Sequence, residues 1–349
     1  MSALTAEGVP GLDLTAFGRW YDEQRPGHVT GELRGRVIAG GKSNLTYEVT
    51  DGSSWWVVRR PPLGHVQATA HDMGREHTVL TALADTDVPV PRTFAHCTDD
   101  SVIGAPFYVM EKVDGTPYRT ADQLAAIGET QTRELAGAMV DVLARLHAVV
   151  PADVGLAEFG RPAGFLERQV RRWGKQLAGS RNRDLPDADL LLARLSERVP
   201  TDDGSAAGIV HGDYRLDNLL SVPSDPEPVK AVIDWEMATL GDTLTDVALL
   251  VVYDRLGSIT GGAAVADASR APGYPTPEEH LERYAAASGR DLGAMEFHLG
   301  LAHLKLAVIL EGIHHRFLHG QTVGAGFDTV GEAVQPLLSA GLAALDSHR

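Results

Sequence analysis

The sequence predicts an α+β fold, with a small strand-rich part over residues 1–112 followed by a larger, mainly helical part over residues 113–349. Three observations predict it. Between residues 31 and 60, short β-branched and aromatic runs alternate with Gly-Gly and Asp-Gly turn signals. Beyond residue 115 the apolar residues recur at helical spacing instead. A chain of 349 residues also exceeds what one small core needs, so two packed parts are the natural division.

Taken in order, Leu12, Leu14, Phe17 and Trp20 have the spacing of a short amphipathic helix over residues 11–21, closed off by Pro26 and Gly27. Three strands follow at Val37-Ile38, Leu45-Thr-Tyr-Glu-Val49 and Trp55-Trp-Val-Val58, turning at Gly40-Gly41 and Asp51-Gly52. Residues 72–83 form a helical pattern with Val79, Leu80 and Leu83 on one side. Pro89 and Pro91 stop it, and Phe107-Tyr-Val-Met110 resumes as a strand. The boundary between the parts falls near residues 111–115. In the second part, Leu135, Met139, Val142, Leu143 and Leu146 make an apolar stripe that belongs to a core. Further helices are predicted near residues 164–177, 245–253, 277–286, 294–317 and 331–345.

Bulk properties narrow the function. Apolar content of 44% and charged content of 22% are ordinary for a globular chain. A net charge of −16 argues against nucleic acid or an anionic membrane as partner, since both require clustered Lys and Arg. Cys97 is the sole cysteine, which rules out an internal disulfide and suits a reducing compartment. No run of eighteen apolar residues occurs, and residues 1–10 lack the features of a signal peptide, so a cytoplasmic location is expected.

The chemistry is concentrated in Ile209-Val-His-Gly-Asp-Tyr-Arg-Leu-Asp-Asn-Leu-Leu220 and the later Val232-Ile-Asp-Trp235. They place His211, Asp213, Asn218 and Asp234 in the order that kinases use for phosphoryl transfer. In that order Asp213 faces the attacking hydroxyl, while Asn218 and Asp234 turn to a magnesium ion. His211 orients the loop through backbone hydrogen bonds, and Asp246 anchors it. A buried carboxylate closing an apolar strand, as at Asp234, is costly unless a cation or donor meets it.

Upstream, Ala39-Gly-Gly-Lys-Ser-Asn-Leu-Thr-Tyr47 offers Gly40, Gly41 and Ser43 as a hairpin able to cover nucleotide phosphates. A Walker A loop fails here: the required glycine is Arg36, and a strand follows where a helix should start. Alternation from Val57 puts Arg59, in preference to Arg60, on the phosphate-facing side, with Glu76 on the next helix as its ion-pair partner.

Together these residues resemble the aminoglycoside phosphotransferase and choline kinase superfamily, over residues 34 to 317. Val58-Arg-Arg-Pro-Pro62, Leu166-Glu-Arg-Gln-Val-Arg-Arg-Trp173 and Asp234-Trp-Glu-Met-Ala-Thr-Leu-Gly-Asp242 with Asp246 resemble most the branch of kinase-like domains fused to acyl-CoA dehydrogenases. The resemblance implies a bilobal protein-kinase-like fold, with ATP and Mg2+ as cofactors and Met110, Glu111 and Val113 as the hinge to adenine. It departs from most members in carrying an arginine at position 59 where they have lysine. The absence of an Ala-Pro-Glu segment after Asp234 points to a small-molecule acceptor.

The expected function is therefore transfer of the γ-phosphate of ATP to a hydroxyl of a small molecule such as a hydroxyacyl-type metabolite. An aminoglycoside kinase and a catalytically silent nucleotide-binding pseudokinase are the alternatives. Arg172, Trp173, Lys305 and Arg316 are the candidate acceptor-pocket residues, the last two on the predicted helix 294–317. His315 and His319 stand four apart, but no third ligand accompanies them to make a zinc site.

Overall fold

Three hydrophobic runs and two further strands make the sheet around which the first part of the chain is built. The structure is a computed structural model and describes residues 4–38, 44–63, 72–201, 207–259, 267–293, 295–321 and 327–347. By spatial clustering the chain divides into two units, residues 1–115 with 230–238 and residues 116–229 with 239–349.

Unit 1 holds α1 (Leu14–Gln24), β1 (Arg34–Val37), β2 (Leu45–Thr50), β3 (Trp55–Arg60), α2 (Met73–Leu83), β4 (Thr93–Cys97) and β5 (Phe107–Glu111). The strands form one antiparallel sheet in the order β1-β2-β3-β5-β4. Period-two alternation gives the sheet two different faces. Tyr47, Val49, Trp56, Val58, Phe107 and Val109 form a core with Phe17 and Tyr21 of α1. Tyr21 meets Trp56 edge-on at 5.5 Å, and Trp20 meets Phe107 likewise at 4.7 Å. On this face too, the buried Arg60 donates to the carbonyls of Gly11 (2.6 Å) and Ile103 (2.9 Å), and the Tyr47 hydroxyl donates to Pro10 O at 2.8 Å. These bonds tie residues 10–13 to the sheet. The opposite face carries Val57, Arg59, Tyr108 and Met110.

α2 is capped by Asp72, whose carboxylate accepts from the Arg75 N–H, and it packs against β4 and β5. β4 was not evident in the sequence. It is an edge strand of five residues, four of them only half-buried, so it carries little of the apolar alternation that marks a strand.

Unit 2 contains α3 (Ala121–Ile127), α4 (Glu129–Ala148), α5 (Phe165–Ser180), α6 (Pro186–Glu197), β6 (Gly208–Val210) and β7 (Leu219–Ser221). β8 (Val229–Val232) carries the chain into the second segment of unit 1, and β9 (Thr239–Gly241) re-enters unit 2. α7 (Leu244–Ile259), α8 (Pro277–Ser288), α9 (Glu296–Leu318) and α10 (Val334–Asp346) complete it. α9 is buried on most sides and packs against α5, α6, α7 and α10. The α4 stripe, Leu135, Met139, Val142, Leu143 and Leu146, has no exposed surface at all. Truncating one of these leucines to alanine costs about 2–5 kcal/mol.

A linear division at residue 112 assigns residues 230–238 to the helical part, but they cluster with unit 1. Local bonds explain why: the Val232 N–H donates to Pro89 O at 2.8 Å, and Arg75 donates to Ala238 O at 3.2 Å.

Candidate active site

In unit 1 the site is organised by one arginine. Arg59 points to the α2 face, where Nε lies 2.8 Å from Glu76 and Nη2 donates to Asp234 Oδ1 at 2.5 Å. Glu76 accepts two further bonds, from Tyr108 (2.9 Å) and Asn44 (2.9 Å), and Asn44 also donates to Glu236 at 3.2 Å. Burial alone would lower the Arg59 pKa, but the surrounding Glu76, Tyr108, Asp234 and Glu236 raise it overall, so the guanidinium stays charged.

Asp234 stands at φ 67°, ψ 61°, and among the described residues no other non-glycine has a positive φ. Such backbone costs of order 1 kcal/mol and persists where the surroundings impose it. Trp235, whose indole donates to Val232 O at 3.0 Å, is buried and helps to fix the turn.

Unit 2 carries the loop between β6 and β7. The buried Asp246, in the first turn of α7, accepts from the N–H groups of His211 (2.6 Å, on Oδ2) and Gly212 (2.8 Å, on Oδ1), and His147 Nε2 stands 3.4 Å from the same Oδ2. Burial would raise its pKa, yet the His147 contact and the Gly212 N–H hold the carboxyl below the usual range. The His211 ring accepts from the Asp213 N–H at 3.3 Å.

The Asp213 carboxylate receives Tyr253 Oη on Oδ1 (3.0 Å) and Asn218 Nδ2 on Oδ2 (3.2 Å), and 30% of the side chain remains exposed, so a ligand can reach it. Arg215 lies 3.6 Å from the same carboxylate and 2.9 Å from Asp217. Thr116 and Ser221 exchange backbone bonds and secure the end of the loop.

Among the other expected residues, Met110 is buried in β5 and pairs with Val57 and Thr93. Glu111 ends that strand and Val113 follows it, half-buried. Gly40, Gly41 and Ser43 lie outside the described residues. Trp173 is buried on α5, with Arg172 5.3 Å and Lys305 5.6 Å from its ring centre. Lys305 also donates to the Gly212 carbonyl. Arg316 stands eleven residues further along α9, about 16 Å of helix away, and does not join this group. Asn44, Tyr108, Tyr253, His147 and Glu236 were not singled out by the sequence. A single tyrosine on an apolar helix gives no sign of a partner forty residues earlier.

Magnesium suits the donors that remain open. Tyr253, Arg59 and the Asn218 amide nitrogen engage Asp213 and Asp234 Oδ1, while Asn218 Oδ1 and Asp234 Oδ2 accept no bond from a described residue. Each is a hard oxygen ligand of the kind that Mg2+ takes, Asn218 in unit 2 and Asp234 in unit 1. Among the described residues no group of three or more His, Cys, Asp or Glu side chains could hold a metal by itself.

The sequence profile of the phosphotransferase enzyme family matches residues 34–287. The chain belongs to this family. A phosphotransferase-family structure, a putative aminoglycoside phosphotransferase from Ralstonia eutropha, is 31% identical and superposes with a TM-score of 0.82, over 96% of this chain and 98% of the other. The GDP complex of an aminoglycoside 2'-phosphotransferase-IIIa shares only the fold, with a TM-score of 0.59 at 16% identity over 96% of this chain and 98% of the other. The acyl-CoA dehydrogenase family member 11 of Gallus gallus is 32% identical over 322 residues, which cover 91% of this chain and 41% of that protein. The phosphotransferase chain thus spans about two fifths of such a relative. Its fold is mixed, with a β-sheet N-terminal region and a helical C-terminal part like those of the kinase-like neighbours.

Proposed function

We propose that the protein is an ATP- and Mg2+-dependent kinase that phosphorylates a hydroxyl group of a small molecule. The observation that carries this reading is the state of Asp213: an accessible carboxylate on an anchored loop, oriented by two neutral donors and still able to accept a hydrogen bond. Asp213 aligns the acceptor hydroxyl for in-line attack and takes its proton late in the transfer. Asn218 and Asp234 offer their open oxygens to the metal, and Arg59, held by Glu76, places positive charge for the phosphates. The backbone from Met110 to Val113 receives the adenine. Bound Mg2+ would offset the charge that builds on the phosphate oxygens. His211 keeps its part in the loop and is not a base.

The test is release of ADP in the presence of a panel of hydroxyl compounds, from hydroxy acids and their thioesters to an aminoglycoside. Asp213→Ala should lower turnover about 100- to 10,000-fold while leaving the affinity for Mg·ATP nearly unchanged. Turnover that survives that change would remove Asp213 from the reaction. An aminoglycoside acceptor is the second reading, favoured by the likeness to the putative aminoglycoside phosphotransferase of Ralstonia eutropha.

A further inference from the structure

Lys305 is a cation without a counter-ion. Its ammonium donates to the carbonyl of Gly212, the residue before Asp213, and lies over the buried Trp173 indole. Gly212 has φ +85°, a conformation open to glycine that turns the loop at this point. An ammonium has three N–H donors, and the carbonyl takes one. No carboxylate of a described residue stands within ion-pairing distance; Asp213 and Asp246 act from farther away. Burial pushes the Lys305 pKa down, Asp213 and Asp246 oppose this, and Arg172 adds to the downward push.

Arg172 stands over the same indole and likewise makes no ion pair with a described residue. The half-buried Lys305 and the exposed Arg172 thus bring two cations to one aromatic ring near the candidate base, in a chain whose net charge is −16. Holding an ammonium partly out of water without an anion is costly, and a ligand that supplies the anion offsets that cost.

We infer that Lys305, with Arg172 at the same Trp173 ring, forms an anion subsite, and that the alcohol phosphorylated at Asp213 carries a carboxylate or phosphate group. This rests on the reading of Asp213 as the base of a kinase. A polycationic aminoglycoside would meet like charge at the subsite, whereas a hydroxy acid or its phosphate-bearing thioester would not. The position of Lys305, bonded one residue from Asp213, places the anion close to the reacting hydroxyl.

Two measurements test it. In the first, malonate is titrated against chloride at matched ionic strength while thermal unfolding is followed, with the nucleotide site filled by a non-hydrolysable ATP analogue and Mg2+. Wild-type protein and K305R should show a saturable rise in Tm; K305M, and K305Q as a second neutral variant, should lose it. In the second, ADP release is compared for short hydroxy acids, for their coenzyme A thioesters and for kanamycin. The first two arms distinguish carboxylate from carrier phosphate as the source of the anion. K305M should raise the KM of the accepted anion at least tenfold and leave the KM of ATP within twofold. A malonate effect that persists in both neutral variants overturns the subsite, as does kanamycin turnover that K305M leaves unchanged. A Lys305-dependent malonate effect with no ADP release from any alcohol overturns the kinase reading and leaves the subsite standing.

Discussion

At Asp234, the backbone and the proposed metal ligation call for the same residue. Only glycine and the short amide or acid side chains enter the left-handed region at low cost. Asp234→Asn keeps that backbone but removes the charge, while Asp234→Ala removes the charge and adds about 1 kcal/mol of strain. Calorimetry should show that both variants lose the Mg2+-dependent part of nucleotide binding, with the alanine variant the less stable of the two in denaturant. Equal stability would mean that the turn is held without regard to its side chain. The residues of this site differ in how well the sequence announces them. Asp213, Asn218 and Asp234 sit at fixed spacings within short motifs, and alternation along β3 separates Arg59 from Arg60: the first reaches Glu76, the second the carbonyls of Gly11 and Ile103. Tyr108 and Asn44 bond Glu76 from thirty-two residues away in either direction, and no local pattern encodes such a pairing.

Among the elements, the long periodic helices were legible, as were the capped α1, α2 and α8, while α3 and α6 were not. α4 and α9 carry apolar stripes over twenty and twenty-three residues, whereas α3 has seven residues, and the capping box of Thr120 and Gln123 is its clearest signal. α6 opens on Pro186 and buries only Ala188, Leu191 and Leu195, which gives it a narrow stripe. α9 also has a pH dependence built into it. His303 is buried, and its Nδ1 bonds Leu299 O at 2.7 Å; burial lowers its pKa from the usual 6.5. As pH falls below about 6.5 the unfolded chain takes up this proton before the folded one does, so stability is lost from there down to the folded pKa. Urea unfolding of wild type and His303→Gln should run parallel above pH 7 and diverge below pH 6, with the wild type falling faster. Parallel curves throughout would show that the ring protonates without penalty.

For the whole molecule, composition set limits that the structure leaves in place: no helix among the described residues is long and apolar enough to cross a membrane. The sequence placed the boundary near residue 112 but not the return of residues 230–238, because that return depends on bonds to Pro89, Arg59 and Arg75, which lie more than a hundred residues earlier. A ligand that binds only the folded chain stabilises it by mass action, by about 2.7 kcal/mol at a hundred times its Kd. For a chain of this size that corresponds to a rise of about 4 °C in Tm. A Mg·ATP analogue should produce that rise, and chelation of Mg2+ should remove most of it; an unchanged melting curve at saturating analogue would count against nucleotide as a ligand.

Arg60 limits how far the protein can be shortened. The family match begins at residue 34, which invites expression of a trimmed catalytic fragment from that point. Such a fragment would lack Pro10 and Gly11, stranding the Tyr47 hydroxyl and taking from the Arg60 guanidinium, only 5% exposed, one of its two Nη1 carbonyl partners, and would strip Phe17 and Tyr21 from the sheet. Residues that lie outside the homologous core are thus part of what keeps β3 in place.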